Sequence, residues 1–203
     1  MPILYVETNF LISIATGRDP EADNLLLNPP ASVQIAIPSI CCMEALSVLE
    51  NEQKRRNRFT GELENQISQL KRDLTSRSAK SLLFHLEESL NENEGLLNDV
   101  QLRLFQALEN VATKAEMINL NAVMLQENLK TTLILEDPTD NLILHCILNH
   151  ACSNATEVKA FLSGNSKQFG VRQVQEALQD VGIEKYFFRS QDFLGWLNFG
   201  QIL

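Results

Sequence analysis

Five residues, widely separated in the chain, carry side chains suited to holding a hard cation: Glu7, Glu44, Asp137, Asp140 and Asn165. Glu7 follows the apolar run Ile3-Leu4-Tyr5-Val6, and Glu44 sits among Cys41, Met43, Ala45, Leu46 and Val48, where a carboxylate is not wholly solvated. Asp137 and Asp140 flank Pro138-Thr139, and Asn165 lies in Ser163-Gly164-Asn165-Ser166. Several acids brought to one place repel one another unless a cation compensates them. Oxygen-only ligands of this kind suit Mg²⁺ or Mn²⁺. Each residue also has an ordinary role: Asp137 or Asp140 as a helix cap or first-turn acid, Glu7 as a first-turn acid, Glu44 as a half-exposed helix acid, and Asn165 as a turn former. Cation chemistry therefore requires a fold that gathers them.

The elements around these residues favour such gathering. Ile3–Val6 reads as a buried parallel strand, and Phe10, Leu11, Ile12 and Ile14 as a helix opened by Thr8 or Asn9. Pro20 starts a helical stretch through Leu27, stopped by Asn28-Pro29-Pro30. Ser32–Ile37 is a second strand, and Pro38-Ser39 begins a helix carrying Glu44. Its apolar spacing continues through Phe59, Leu63, Ile67, Leu70 and Leu74, with a break at Ser76-Arg77-Ser78. The stretch from Leu82 to about Ala115 reads as two helices separated near Asn91–Gly95. Met117–Leu120 is a short strand, Asn121–Leu129 a helix, and Pro138 fits the first turn of a helix running to about Cys152. Val158–Leu162 is a strand, Val171–Val181 a helix ending at Gly182, and Ile183–Phe188 a last strand. Ser190 caps a final helix. Strand and helix alternate at both ends, so a mostly parallel sheet flanked by helices is expected. Acids placed after its strands would then meet at one sheet edge.

The totals set outer limits. At 203 residues and 44% hydrophobic, the chain suits one medium domain carrying a helical insertion at about 51–115. No apolar run approaches the roughly 18 residues that span a bilayer, and Glu7 interrupts the N-terminal run, so neither membrane nor signal peptide is expected. Cys41, Cys42, Cys146 and Cys152 form no CxxC pair and read as reduced core residues of a cytoplasmic protein. The net charge of −9 opposes a broadly basic nucleic-acid binder. Yet eight basic residues stand against four acids from Asn51 to Lys80, among them Lys54, Arg55, Arg56 and Arg58. These read either as a solvated helix face or as a phosphate contact. No Ser/His/Asp or Cys/His arrangement and no glycine-rich phosphate loop competes with the acids.

Four stretches, in order, resemble the PIN-domain nucleases, the fold of the VapC-type toxins. They are YVETNFLI with Glu7, IPSICCMEALSVLE with Glu44, EDPTDNLILHCIL with Asp140, and FLSGNSKQF from Phe161 to Phe169. The resemblance covers roughly residues 1–50 and 116–190. It implies a three-layer fold with a mostly parallel sheet, and metal-dependent hydrolysis of RNA phosphodiester bonds. Glu7, Glu44 and Asp140 would then be the catalytic metal ligands, with Asp137 an alternate ligand. Thr8, Asn9, Ser163 and Asn165 would orient substrate or ligands. An RNA substrate, a partner antitoxin and a homodimer are further implications. Two departures stand out: most relatives open with Asp where this chain has Glu7, about one C–C bond longer, and Asn165 stands near the place of the family's fourth acid. The alternative is a PIN-like domain with impaired catalysis that binds nucleic acid or protein.

Overall fold

The computed structural model describes residues 1–154 and 157–200. The chain separates into two compact units, one of residues 1–45 and 104–203 and one of residues 46–103.

The first unit is built on a five-stranded parallel sheet: β1 (Ile3–Val6), β2 (Gln34–Pro38), β3 (Glu116–Ile118), β4 (Lys159–Leu162) and β5 (Ile183–Phe187), in the order β3-β2-β1-β4-β5. All pairings are parallel, so the expectation of a mostly parallel sheet is met in full. β1 lies at the centre, which is why its four residues are all buried apolar or aromatic side chains. Its register fixes the site edge. Val6 pairs with Leu162, so Glu7 and Ser163 leave the sheet side by side.

Helices flank this sheet: α1 (Thr8–Ala15), α2 (Pro20–Leu27), α5 (Ala122–Lys130), α6 (Pro138–Ser153), α7 (Ser166–Phe169), α8 (Arg172–Asp180) and α9 (Ser190–Gly200). Long helices α3 (Ser39–Leu70) and α4 (Arg77–Lys114) have residues in both units. Local chemistry sets many of their ends. Asp19 caps α2 by accepting from the Ala22 amide at 3.1 Å, with Pro20 in the first turn, and Asn121 caps α5 through the Met124 amide at 3.0 Å. Gly17 and Gly182, at φ 68° and 83°, supply the left-handed turns after α1 and α8 that other residues adopt only with strain. Helix α6 buries Ile143, Leu144, Cys146 and Ile147 and packs on β2 and β3.

In the second unit, α3 and α4 run antiparallel around a turn at 71–76. Gln53 bonds Gln101 at 3.1 Å, Asn93 bonds Arg56 at 2.7 Å and Thr60 at 3.1 Å, and Lys71 pairs with Glu87 at 2.9 Å. Leu49, Leu63, Ile67 and Val100 are its buried apolar residues.

Several sequence expectations are corrected. Glu7, rather than Thr8 or Asn9, caps α1, because a glutamate arm reaches back to the Asn9 amide at 2.7 Å. Helix α4 runs unbroken through 91–95. Its Asn93 is buried and satisfied by Arg56 and Thr60, and Gly95 in a helix interior is tolerated at about 1 kcal/mol. The break before it falls at 71–76, where Asp73 accepts from the Thr75 and Ser76 amides at 3.0 Å. Of the four free cysteines, only Cys41 and Cys146 are core residues. Cys42 is half-buried, and Cys152, in the last turn of α6, is exposed.

Candidate functional site

Reading the sheet outward, the chain moves from β1 to β2 and β3, then returns to place β4 on the other side of β1. The crevice outside the carboxyl ends of strands at such a reversal is where open α/β sheets collect ligands. Glu7 follows β1 there and Ser163 follows β4. Glu44 lies in the second turn of α3, after β2, and Asp140 in the first turn of α6.

Hydrogen bonds link Glu7 to Asp140 through Ser163 and Asn165, and a separate one ties Glu44 to Thr8. The fully buried Glu7 carboxylate accepts from the Asn9 amide through Oε2 and from Ser163 Oγ, at 2.8 Å, through Oε1. Ser163 Oγ in turn accepts from the Asn165 amide at 3.0 Å, and Asn165 Nδ2 donates to Asp140 Oδ2 at 2.9 Å. Thr8 Oγ1 donates to Glu44 Oε2. Asp137 caps α6 by accepting from the Thr139 and Asp140 amides at 2.9 and 3.1 Å. Its ordinary structural role is therefore occupied. Asn165 stands at the N-cap position of α7 yet makes no capping bond, because its side chain is turned to Asp140.

The electrostatics are those of uncompensated acids. Burial first, with smaller contributions from Asp140 and Glu44, pushes the Glu7 carboxyl up to about 7 against the pull of its two donors. Burial, then Asp137 and Glu44, pushes Asp140 up to about 7. Glu44 is raised by burial and by Asp137, opposed by the Thr8 hydroxyl. Desolvation outweighs mutual repulsion in each case. No ion pair among the described residues involves Glu7, Glu44, Asp137 or Asp140.

The model of the PIN domain family matches residues 4–169. This chain belongs to the PIN-domain family. No curated protein and no solved structure matches the chain significantly. The PIN match runs from β1 to the end of α7 and so includes every acid of the cluster. PIN domains are in general nucleases, with nucleic acid as substrate and divalent metals as cofactors. The donor set here agrees with a hard cation in kind: carboxylate and amide oxygens, acidic in sum, with no protein cation among them. The arrangement is not yet a closed one. Among the described residues, no three His, Cys, Asp or Glu side chains stand so as to hold a metal ion. The carboxylates are turned instead onto the neutral donors Ser163, Thr8 and Asn165.

The basic stretch reads differently. Lys54 pairs with Glu50 at 2.6 Å, and Arg55 and Arg56 both pair with Glu52, while Arg58 is exposed. Arg56 also holds Asn93, a bond internal to the second unit. The histidines stay outside the cluster: His85 is exposed, His145 bonds the Thr131 carbonyl at 2.8 Å, and His150 bonds Tyr5 at 2.9 Å. Sequence reasoning missed Tyr186, whose hydroxyl donates to the Ser163 carbonyl at 3.0 Å. It read Cys41 only as a core residue, whereas burial first, and then the Glu7 and Glu44 charges, push this thiol up. Tyr186 had no visible signal, since its pairing with Phe161 depends on a register irregularity between β4 and β5. Among the described residues, no helix is long and apolar enough to cross a membrane.

Proposed function

We propose that this PIN-domain chain is a metal-dependent endoribonuclease. Glu7, Glu44 and Asp140 would hold Mg²⁺ or Mn²⁺, with Asp137 an alternate ligand. The observation that carries this reading is the convergence of mutually interacting carboxylates at the sheet's reversal edge with no protein cation to offset them. When bound, such an ion lowers the pKa of a water and screens charge on a phosphodiester. The chain's own residues do the positioning. Ser163 and the Asn9 amide fix the two oxygens of Glu7, Thr8 fixes Glu44, and Asn165 fixes Asp140. Without a cation, burial holds protons on Glu7 and Asp140 to higher pH than an ordinary carboxyl, so loading the site displaces protons from these carboxyls.

RNA contact by Lys54, Arg55, Arg56 and Arg58 belongs to the same proposal. The exposed Lys54–Glu50 and Arg55–Glu52 pairs are worth about 1 kcal/mol or less each, so phosphates can replace the glutamates there. A VapC-like toxin role with an antitoxin partner, or a homodimer, rests on motif order alone. Its test is growth arrest on induction of the wild type but not of Glu7→Gln.

The test of the nuclease reading is cleavage of a labelled single-stranded RNA with Mn²⁺, beside the Glu7→Gln, Asp140→Asn double variant. Cleavage lost in the variant supports the reading. Equal activity in both refutes it. A second reading, a PIN module that binds without cutting, is favoured by Asn165 at the fourth-acid place and by the unclosed carboxylate arrangement. It predicts RNA binding without cleavage.

A further inference from the structure

Next to the acid cluster lies a pocket of about 570 Å³, walled by the start of α2, the β4 end and the β5–α9 connection. Its volume falls within the range of small-molecule sites, about 300–1,000 Å³. Arg18 and Arg189 both line it, both are exposed, and neither forms an ion pair among the described residues. Phe188 lines it too and is 51% exposed, although a Phe at the end of a sheet strand is ordinarily covered. It meets Tyr186 edge-on at a centroid distance of 4.6 Å.

Ser190, at the start of α9, lines the same pocket. Its hydroxyl is buried and has no hydrogen-bond partner, the one such side-chain atom among the described residues. A buried hydroxyl without a partner is costly and calls for an outside acceptor or donor. Two acids also line the pocket. Asp19 is already committed, with Oδ1 on the Ala22 amide and Oδ2 on the Ser190 amide at 3.3 Å, and Glu21 is exposed in the first turn of α2. A second pocket of about 460 Å³ shares Asn9, Ser13, Arg18 and Gly164 with the first and reaches Asn165, the partner of Asp140. The two pockets thus lead from the unpaired arginines to Asn9, Ser163 and Asn165, the hydrogen-bond partners of Glu7 and Asp140.

We propose that this pocket is a nucleotide subsite: Arg18 and Arg189 hold a phosphate, Phe188 stacks an unpaired base, and Ser190 hydrogen-bonds the phosphate or sugar. Cationic side chains combined with an exposed aromatic face are what single-stranded nucleic acid recognition requires. A paired duplex base has no free face to offer Phe188. The subsite deepens the nuclease proposal, and rests on it for the identity of the strand, by assigning the side chains that receive an unpaired nucleotide. It also places a neighbouring nucleotide beside the scissile bond.

The test uses the full chain with adenosine monophosphate and inorganic phosphate, read by amide chemical shifts of Gly164, Arg189 and Ser190. The wild type is expected to bind adenosine monophosphate saturably. The Arg18→Ala, Arg189→Ala double variant weakens both probes about tenfold or more. Phe188→Ala weakens the nucleotide about tenfold and spares phosphate, and Phe188→Tyr restores it. Absent nucleotide binding, or binding unchanged in all variants, overturns the subsite. RNA cleavage with Mn²⁺ separates the two proposals. In the arginine double variant, KM rises about tenfold with kcat retained if the subsite is correct. Cleavage with unchanged KM overturns the subsite and leaves the nuclease. Nucleotide binding as expected, with no cleavage by wild type, overturns the nuclease and leaves the pocket.

Discussion

Asn165 Nδ2 donates to Asp140 Oδ2 at 2.9 Å, across 25 residues of sequence. An aspartate at this position would meet Asp140 as a like charge; the amide meets it as a donor. Asn165 therefore holds Asp140 in place without adding to the negative charge. It does so in place of the α7 cap it was positioned to make.

Asn165→Asp removes that donor and adds a fifth carboxylate. The metal-free protein is expected to lose about 2 kcal/mol of stability, the scale of a hydrogen bond to a charged group. Mn²⁺ affinity is expected to rise, because a carboxylate replaces an amide beside the cation site. Thermal melting with and without Mn²⁺ checks both. A variant as stable as wild type when metal-free would contradict the role given to Asn165.

The raised acids set a pH dependence. Glu7 titrates near 7 folded and near 4.5 unfolded, so between those values the native state binds more protons. Its contribution is fully present below pH 4.5 and is lost as pH rises through 7, on the order of 3 kcal/mol. Asp140, also raised to about 7, acts in the same direction. The metal-free wild type should therefore melt at lower temperature at pH 8 than at pH 5.5. Glu7→Gln should flatten that trend and melt higher than wild type at pH 8. Melting curves across pH decide, and an unchanged slope in the variant would refute the assignment.

Ser163→Ala removes one of two donors to Glu7 and the acceptor of the Asn165 amide. The loss is expected to destabilise by about 1–3 kcal/mol. It should also move the Glu7 titration upward, since the bond favours the charged form. Carbonyl-labelled NMR of Glu7 reads the titration directly. Tyr186→Phe, which removes only the bond to the Ser163 carbonyl, should leave that titration much closer to wild type.

Much of the frame is legible in the residues. Ile3–Val6 reads as a buried parallel strand because a strand covered on both faces takes consecutive apolar, β-branched and aromatic side chains. Asp137-Pro138 announces the start of α6 through cap and first-turn chemistry. What is not legible depends on tertiary partners. The unbroken α4 relies on Asn93 finding Arg56 and Thr60, and no local pattern encodes that pairing. The positions of Glu7, Glu44 and Asp140 along their elements follow from the sequence, but the donors that orient them do not. Asn165 in a Gly-Asn-Ser stretch looks like a turn residue until the fold brings α6 beside it. Burial, which dominates the raised pKa values, likewise emerges only once the sheet is covered.

In the proposed function these carboxyls together form a cation site. Calorimetric titration of the metal-free protein with Mn²⁺ at pH 7, in buffers of different ionisation enthalpy, tests it most directly. Saturable binding with proton release, both lost in the Glu7→Gln, Asp140→Asn double variant, is the predicted result. No binding by wild type, or equal binding by the double variant, would contradict it.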